Sequence, residues 1–157
     1  MLRVKVICGF PASGKTTYVS KHVGPNDLVY DYDALMAAIT GKPFWELNHD
    51  RSDYIDDILY RVLIGRGSDD PAIDTLWIIR TVPSPKFQQS LSGLDVSYYY
   101  MNATVGECLQ RISSQPGREN TNTDYFGLLM ELQSRGEQGA FSICQPINPG
   151  DDTDGTT

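Results

Sequence analysis

Eight residues near the start of the chain, Gly9-Phe10-Pro11-Ala12-Ser13-Gly14-Lys15-Thr16, follow the spacing G-x-x-x-x-G-K-[ST]. A stretch of this kind is suited to wrapping phosphate groups. Its glycines let the backbone curl until N–H groups point inward at phosphate oxygens. A helix that opens at its end adds the positive pole of the helix dipole. Lys15 brings a point charge to the β- and γ-phosphates, and Thr16 offers a hydroxyl to Mg²⁺. The expected binding set is Gly9, Pro11, Ala12, Ser13, Gly14, Lys15, Thr16 and Thr17, with ATP and Mg²⁺ as the groups held. At ordinary residue frequencies such a match arises by chance in a chain this long about half a percent of the time. The competing reading is a Gly-rich turn with an exposed lysine.

The flanking elements have to position that loop. Residues 2–8 are β-branched and apolar and stop at Gly9, which reads as a strand; residues 14–23 read as a helix. Leu28–Tyr30 is a second short strand, and Asp33 stands where it can cap a helix over Ala34–Thr40, closed by Gly41. From Asp50, the apolar set Tyr54, Ile55, Ile58, Leu59, Val62 and Leu63 keeps helical period, and residues 65–72 read as the loop that ends it. Thr75–Ile79 is an unbroken apolar run, as expected of a strand buried on both faces. A short helix around Lys86–Leu91 and a strand over Val96–Met101 follow. Thr104-Val-Gly-Glu107 is a capping box that opens another helix, residues 113–123 read as a loop, and Asp124–Arg135 as a last helix using Phe126, Leu129, Met130 and Leu132. Strands alternating with helices predict an α/β domain with a mainly parallel sheet.

Composition narrows the rest. A chain of 157 residues suits one domain, and 40% apolar residues exclude wholesale disorder. No stretch nears the roughly 18 apolar residues of a membrane span, and the first residues are too polar for a signal peptide. A net charge of −7 argues against an extended nucleic-acid groove. Cys8, Cys108 and Cys144 show no zinc spacing and no redox-pair motif, so they read as reduced thiols of a cytoplasmic protein.

The phosphate loop, Gly-Phe-Pro-Ala-Ser-Gly-Lys-Thr-Thr, resembles that of the small P-loop kinases. The resemblance is to the 5′-kinase module of phage-type polynucleotide kinases and related phage nucleotide kinases, and it spans roughly residues 4–135. It implies a three-layer P-loop NTPase fold with a helical lid: a kinase domain over residues 1–143, a lid near 113–123, and a C-terminal tail over 144–157. It also implies host cytoplasm as the setting if the chain is viral. In that family an aspartate just after the second strand acts on the acceptor hydroxyl. Asp33 falls in the matching place, with Asp31 beside it as a candidate for the metal. Lid arginines clamp the phosphates, and Arg111 and Arg118 fall there. For both arginines the plainer reading is a solvated loop; for Asp33 it is the helix cap.

Two positions depart from the family. Met36 stands where the polynucleotide kinases carry an arginine for the acceptor phosphate, and the third strand ends in Arg80 rather than an aspartate. Arg80 at the carboxyl end of a parallel strand faces the usual ligand crevice, where it can hold a phosphate or else pair with a structural acid. Phe44 and Trp45 lie in a loop, where two aromatics can wall an acceptor pocket or simply pack. His22 and His49 read as structural, and Tyr98–Tyr100 as strand packing. The expected activity is transfer of the γ-phosphoryl group of ATP to a hydroxyl or phosphate of a nucleoside, nucleotide or polynucleotide 5′-end. Lys15, Asp33, Arg111 and Arg118 are the expected catalytic set. The alternatives are an ATP-binding or ATPase module that works through a partner, and a small-molecule kinase of the antibiotic, sugar or toxin type. Oligomeric state is not legible.

Overall fold

The computed structural model describes residues 1–43, 46, 49–116 and 123–148. Five strands form one sheet: β1 (Arg3–Cys8), β2 (Leu28–Asp31), β3 (Thr75–Ile79), β4 (Asp95–Met101) and β5 (Gln145–Ile147). Their order is β2-β3-β1-β4-β5, and every pairing is parallel. The helices are α1 (Lys15–His22), α2 (Tyr32–Thr40), α3 (Ser52–Asp57), α4 (Gly67–Asp69), α5 (Pro85–Ser90), α6 (Val105–Ser114) and α7 (Tyr125–Glu137). This is the expected α/β arrangement, with helices against a parallel sheet in the manner of P-loop NTPases.

Alternation along the strands sorts the core into two faces. Val4, Val6 and Cys8 of β1 join Leu76 and Ile78 of β3 against Met36, Ile55, Leu59 and Phe87. Ile7 and Trp77 turn the other way, to Val19 of α1 and Met101. A third cluster, Ala103, Cys108, Ile112 and Leu129, joins α6 to α7, and Phe10 and Ala12 of the phosphate loop pack on it. The loop is thus wedged between sheet and helices rather than hung in solvent. Fully burying a side chain such as Ile78 is worth about 1.5–3 kcal/mol, so these clusters are what hold the loop's two ends in place.

Several local expectations hold. Thr104 and Glu107 make the reciprocal capping box, with Thr104 N–H donating to Glu107 at 3.0 Å and Glu107 N–H to Thr104 at 3.1 Å. Gly41 closes α2 at φ 69°, a left-handed turn that glycine takes without steric cost.

Others are corrected. The cap of α2 is Asp31, whose side chain accepts from Ala34 N–H at 3.3 Å; Asp33 is already inside the helix. The helix begun at Ser52 does not end at residue 65. It passes through a π-helical stretch, Ile58–Arg66, into α4, because buried Gly67 packs against Leu2 and Leu28. Tyr54, Val62, Phe126 and Met130 keep helical period yet lie exposed. The segment expected to be a tail supplies β5. Three residues with a central proline carry almost no strand signal, and Pro146 is tolerated because β5 pairs only with β4 at the sheet edge. Residues 149–157 of that segment lie outside the described residues.

All three cysteines are free, with Cys8 and Cys108 buried. Cys8 and Cys144, far apart in sequence, share a side-chain hydrogen bond that pushes the Cys8 thiol up and draws Cys144 down. Among the described residues no helix is long and apolar enough to cross a membrane.

Candidate active site

The phosphate loop joins β1 to α1 through three left-handed residues: Gly9 at φ 150°, Ala12 at φ 62° and Gly14 at φ 101°. A side chain at Gly9 would start 2.7 Å from Ser13 Oγ and 3.3 Å from Met101 Cβ, so only glycine fits. Gly9 N–H donates to Thr81 O at 3.1 Å and Ser13 N–H to Phe10 O at 3.1 Å, which holds the curl from both sides. Ser13 is buried, and its Oγ has no partner among the described residues. In the first turn of α1, the N–H groups of Lys15, Thr16 and Thr17 have no acceptor one turn back; Tyr18 N–H, on Gly14 O, is the first that does. An orphaned hydroxyl, a backbone that excludes a Cβ, and a helix N-terminus together fit a chain of phosphates.

Lys15 folds back over the loop. Its Nζ donates to Gly9 O at 2.7 Å and Phe10 O at 2.8 Å. Burial lowers its pKa from 10.5 to about 8, and the Cys8 and Cys108 sulfurs with the Asp33 and Asp31 carboxylates offset only part of that. Arg111 reaches in from α6, donating from Nη1 to Ala12 O at 3.1 Å, and stands within 3.8 Å of where a Gly14 side chain would begin. Two elements distant in sequence therefore bring both cations to one loop.

A continuous cleft of about 1650 Å³ runs from this loop along the carboxyl ends of the strands. That is the crevice where parallel α/β sheets bind ligands. Asp31, Asp33, Arg80 and Arg111 all line it. Asp33 is exposed in the first turn of α2, where its charge also favours the helix. Arg80 points toward α5, its guanidinium 4.0 Å over the Phe87 ring. Phe44, Trp45 and Arg118 lie outside the described residues.

Thr16 is exposed at the start of α1 and lines the cleft with Asp31. Among the described residues no three His, Cys, Asp or Glu side chains cluster as metal ligands. That donor set fits Mg²⁺, which keeps most of its waters and takes one or two protein oxygens plus phosphate. The third strand brings no carboxylate.

Sequence reasoning passed over Tyr30, Tyr32 and Arg135 and read His49 as structural, yet all four line the cleft. Tyr32 and His49 are joined by a 2.8 Å hydrogen bond with near-parallel rings. A lone histidine with no neighbouring nucleophile gave no signal; the pairing exists only because residues 32 and 49 fold onto one rim. His22, read as structural, donates from Nδ1 to Tyr18 O at 2.7 Å and stacks on the Tyr18 ring.

Neither a protein-family model nor a curated protein matches this sequence. Solved structures do match. A shikimate kinase from Acinetobacter baumannii in complex with shikimate aligns at TM-score 0.60 and 14% identity, over 98% of this chain and 86% of that one. An unliganded sugar kinase from Janibacter sp. HTCC2649 aligns at TM-score 0.56 and 14% identity, over 95% and 85%. The chain shares the fold of these two kinases, and the comparisons do not single out polynucleotide kinases. They overturn the expected nucleotide, nucleoside or polynucleotide acceptor, since these structures are kinases of small molecules. Met36, where the polynucleotide kinases carry their acceptor arginine, is fully buried in the core.

Proposed function

We propose that this chain is an ATP-dependent kinase that phosphorylates a hydroxyl of a small molecule. The observation that carries the reading is one cleft in which an anion-ready loop, a half-desolvated lysine and a helix-borne carboxylate face the same space. The resemblance of the fold to a shikimate kinase and a sugar kinase supports a small acceptor.

In this reading the loop amides and Lys15 hold the β- and γ-phosphates in line with the acceptor. Asp33 orients the attacking hydroxyl and takes its proton as the oxygen bonds to phosphorus and the bond to ADP breaks. Arg111 screens the charge spreading over the transferred group. Mg²⁺, when bound through Thr16 and Asp31, neutralises phosphate oxygens. The test is transfer from γ-labelled ATP to a panel of small hydroxylated compounds. Label reaching an acceptor supports the reading. Label appearing only as inorganic phosphate, at a rate raised by a protein partner, would turn it toward an ATPase module.

A proton balance follows from Lys15. Its free-state pKa of about 8 leaves it only partly charged near that pH. Bound phosphates favour the charged form, so binding ATP at pH 8 draws in about half a proton from buffer, and little at pH 6.5. Titration calorimetry in buffers of different ionisation heat measures this. Lys15→Met, which keeps the stem without the charge, should abolish the uptake and leaves ATP's own protons as the baseline.

A further inference from the structure

Arg80 stands apart from the other cations of the cleft. Its Nε donates to Val82 O at 2.8 Å, its Nη2 to Ser84 Oγ at 3.3 Å, and its plane rests on Phe87. These contacts lock the guanidinium and leave both N–H groups of Nη1 without an acceptor among the described residues. No carboxylate pairs with it there, although Asp31, Asp33 and Asp56 line the same cleft. Nη1 is thus a charged donor open to the cleft, set by its fixed neighbours to make charge-assisted hydrogen bonds to an anion that enters it. The contacts run to the segment leading into α5 and fix the charge at the carboxyl end of β3, on the side of the cleft that Val82 and Ser84 line. Beside it, Tyr30 is buried, and its hydroxyl has no hydrogen bond to a described residue. Arg135 of α7 is exposed on the same wall as Val82 and Ser84.

Building on the kinase reading, we infer that the acceptor carries an acidic oxygen group, a carboxylate or a phosphate ester, besides its reacting hydroxyl, and that Nη1 of Arg80 receives it. The substrate class is then a hydroxy acid or a sugar phosphate rather than a neutral polyol. Arg80 sets specificity, while Asp33 and the phosphate loop carry the transfer.

Two measurements test this. The first is label transfer by the full chain to matched acceptors: glycerol, glycerate and glycerol phosphate, and glucose, gluconate and glucose 6-phosphate. The acidic members should be preferred, and the carboxylate and phosphate arms show which anion is meant. Arg80→Met keeps the packing on Phe87 and should raise acceptor KM about 10–100-fold, the loss expected for a charge-assisted hydrogen bond, with KM for ATP unchanged. Arg80→Lys should recover part of it. Equal use of neutral and acidic members, or an Arg80→Met variant with unaltered acceptor KM, overturns the inference.

The second measurement does not depend on turnover. With the phosphate loop saturated by ADP, calorimetry follows gluconate and inorganic phosphate binding to wild type and to Arg80→Met, once circular dichroism shows the variant folded. One anion should bind wild type and lose affinity in the variant. If neither binds, or both proteins bind alike, Arg80 is not an anion site. Anion binding lost in Arg80→Met, with no transfer to any acceptor, would instead sink the kinase reading and leave the anion site standing.

Discussion

Lys15→Ala should lower phosphoryl transfer by about 10²–10³-fold, the usual loss when one preorganised group facing the developing charge is removed. Lys15 is the loop's own cation, held by the Gly9 and Phe10 carbonyls until a better acceptor arrives. Single-turnover transfer from γ-labelled ATP measures it, and near-wild-type turnover would remove the loop from the mechanism. A second readout separates charge from fold. The native-state pKa of Lys15, about 8, lies below its ordinary 10.5, so the unfolded chain binds more protons between those values. Stability therefore rises with pH across that window, and below about pH 8 the full cost of burying the charge is present. Measured against Lys15→Met by urea unfolding, wild type should gain stability from pH 8 to 10.5 and hold a constant difference below pH 7. A difference that stays flat across the window would mean that Lys15 is not desolvated.

Asp33→Asn should cut transfer by about 10²–10⁴-fold, the range for losing a general base, while changing ATP affinity little. The substitution keeps the side chain's shape and removes only the ability to take a proton. Asp31→Asn is the matched control. Asparagine caps a helix about as well as aspartate, so α2 should survive, and the effect should be a higher Mg²⁺ requirement rather than a lower maximal rate. If Asp31→Asn gave the larger fall at saturating Mg²⁺, the two roles would be exchanged. If Asp33→Asn lost ATP binding and transfer together, Asp33 would be a metal ligand.

The pair shows where sequence reasoning was strong and where it slipped. That an aspartate caps α2 was legible, because the strand-to-helix junction leaves N–H groups that need an oxygen. Which aspartate does so turned on a helix start two residues earlier than expected. Asp31 takes the cap, and Asp33 lies in the helix's first turn instead. Arg80 slipped in the same way. Its place at the end of β3 was legible, whereas the setting that leaves it without an acid partner among the described residues is made by Phe87, Val82 and Ser84.

The sequence by itself determined what is local: the phosphate loop, the strand and helix on either side of it, the Thr104–Glu107 capping box and the α/β alternation. These rest on hydrogen bonds and backbone angles set within a few residues, so residue type and spacing suffice. Only the tertiary structure decided which side chains share the cleft. The Tyr32–His49 pair, the reach of Arg111 to Ala12, the approach of Cys144 to Cys8 and the pairing of β5 with β4 all join residues far apart along the chain. Their positions follow from how the faces of a parallel sheet are covered, and short patterns do not record that packing.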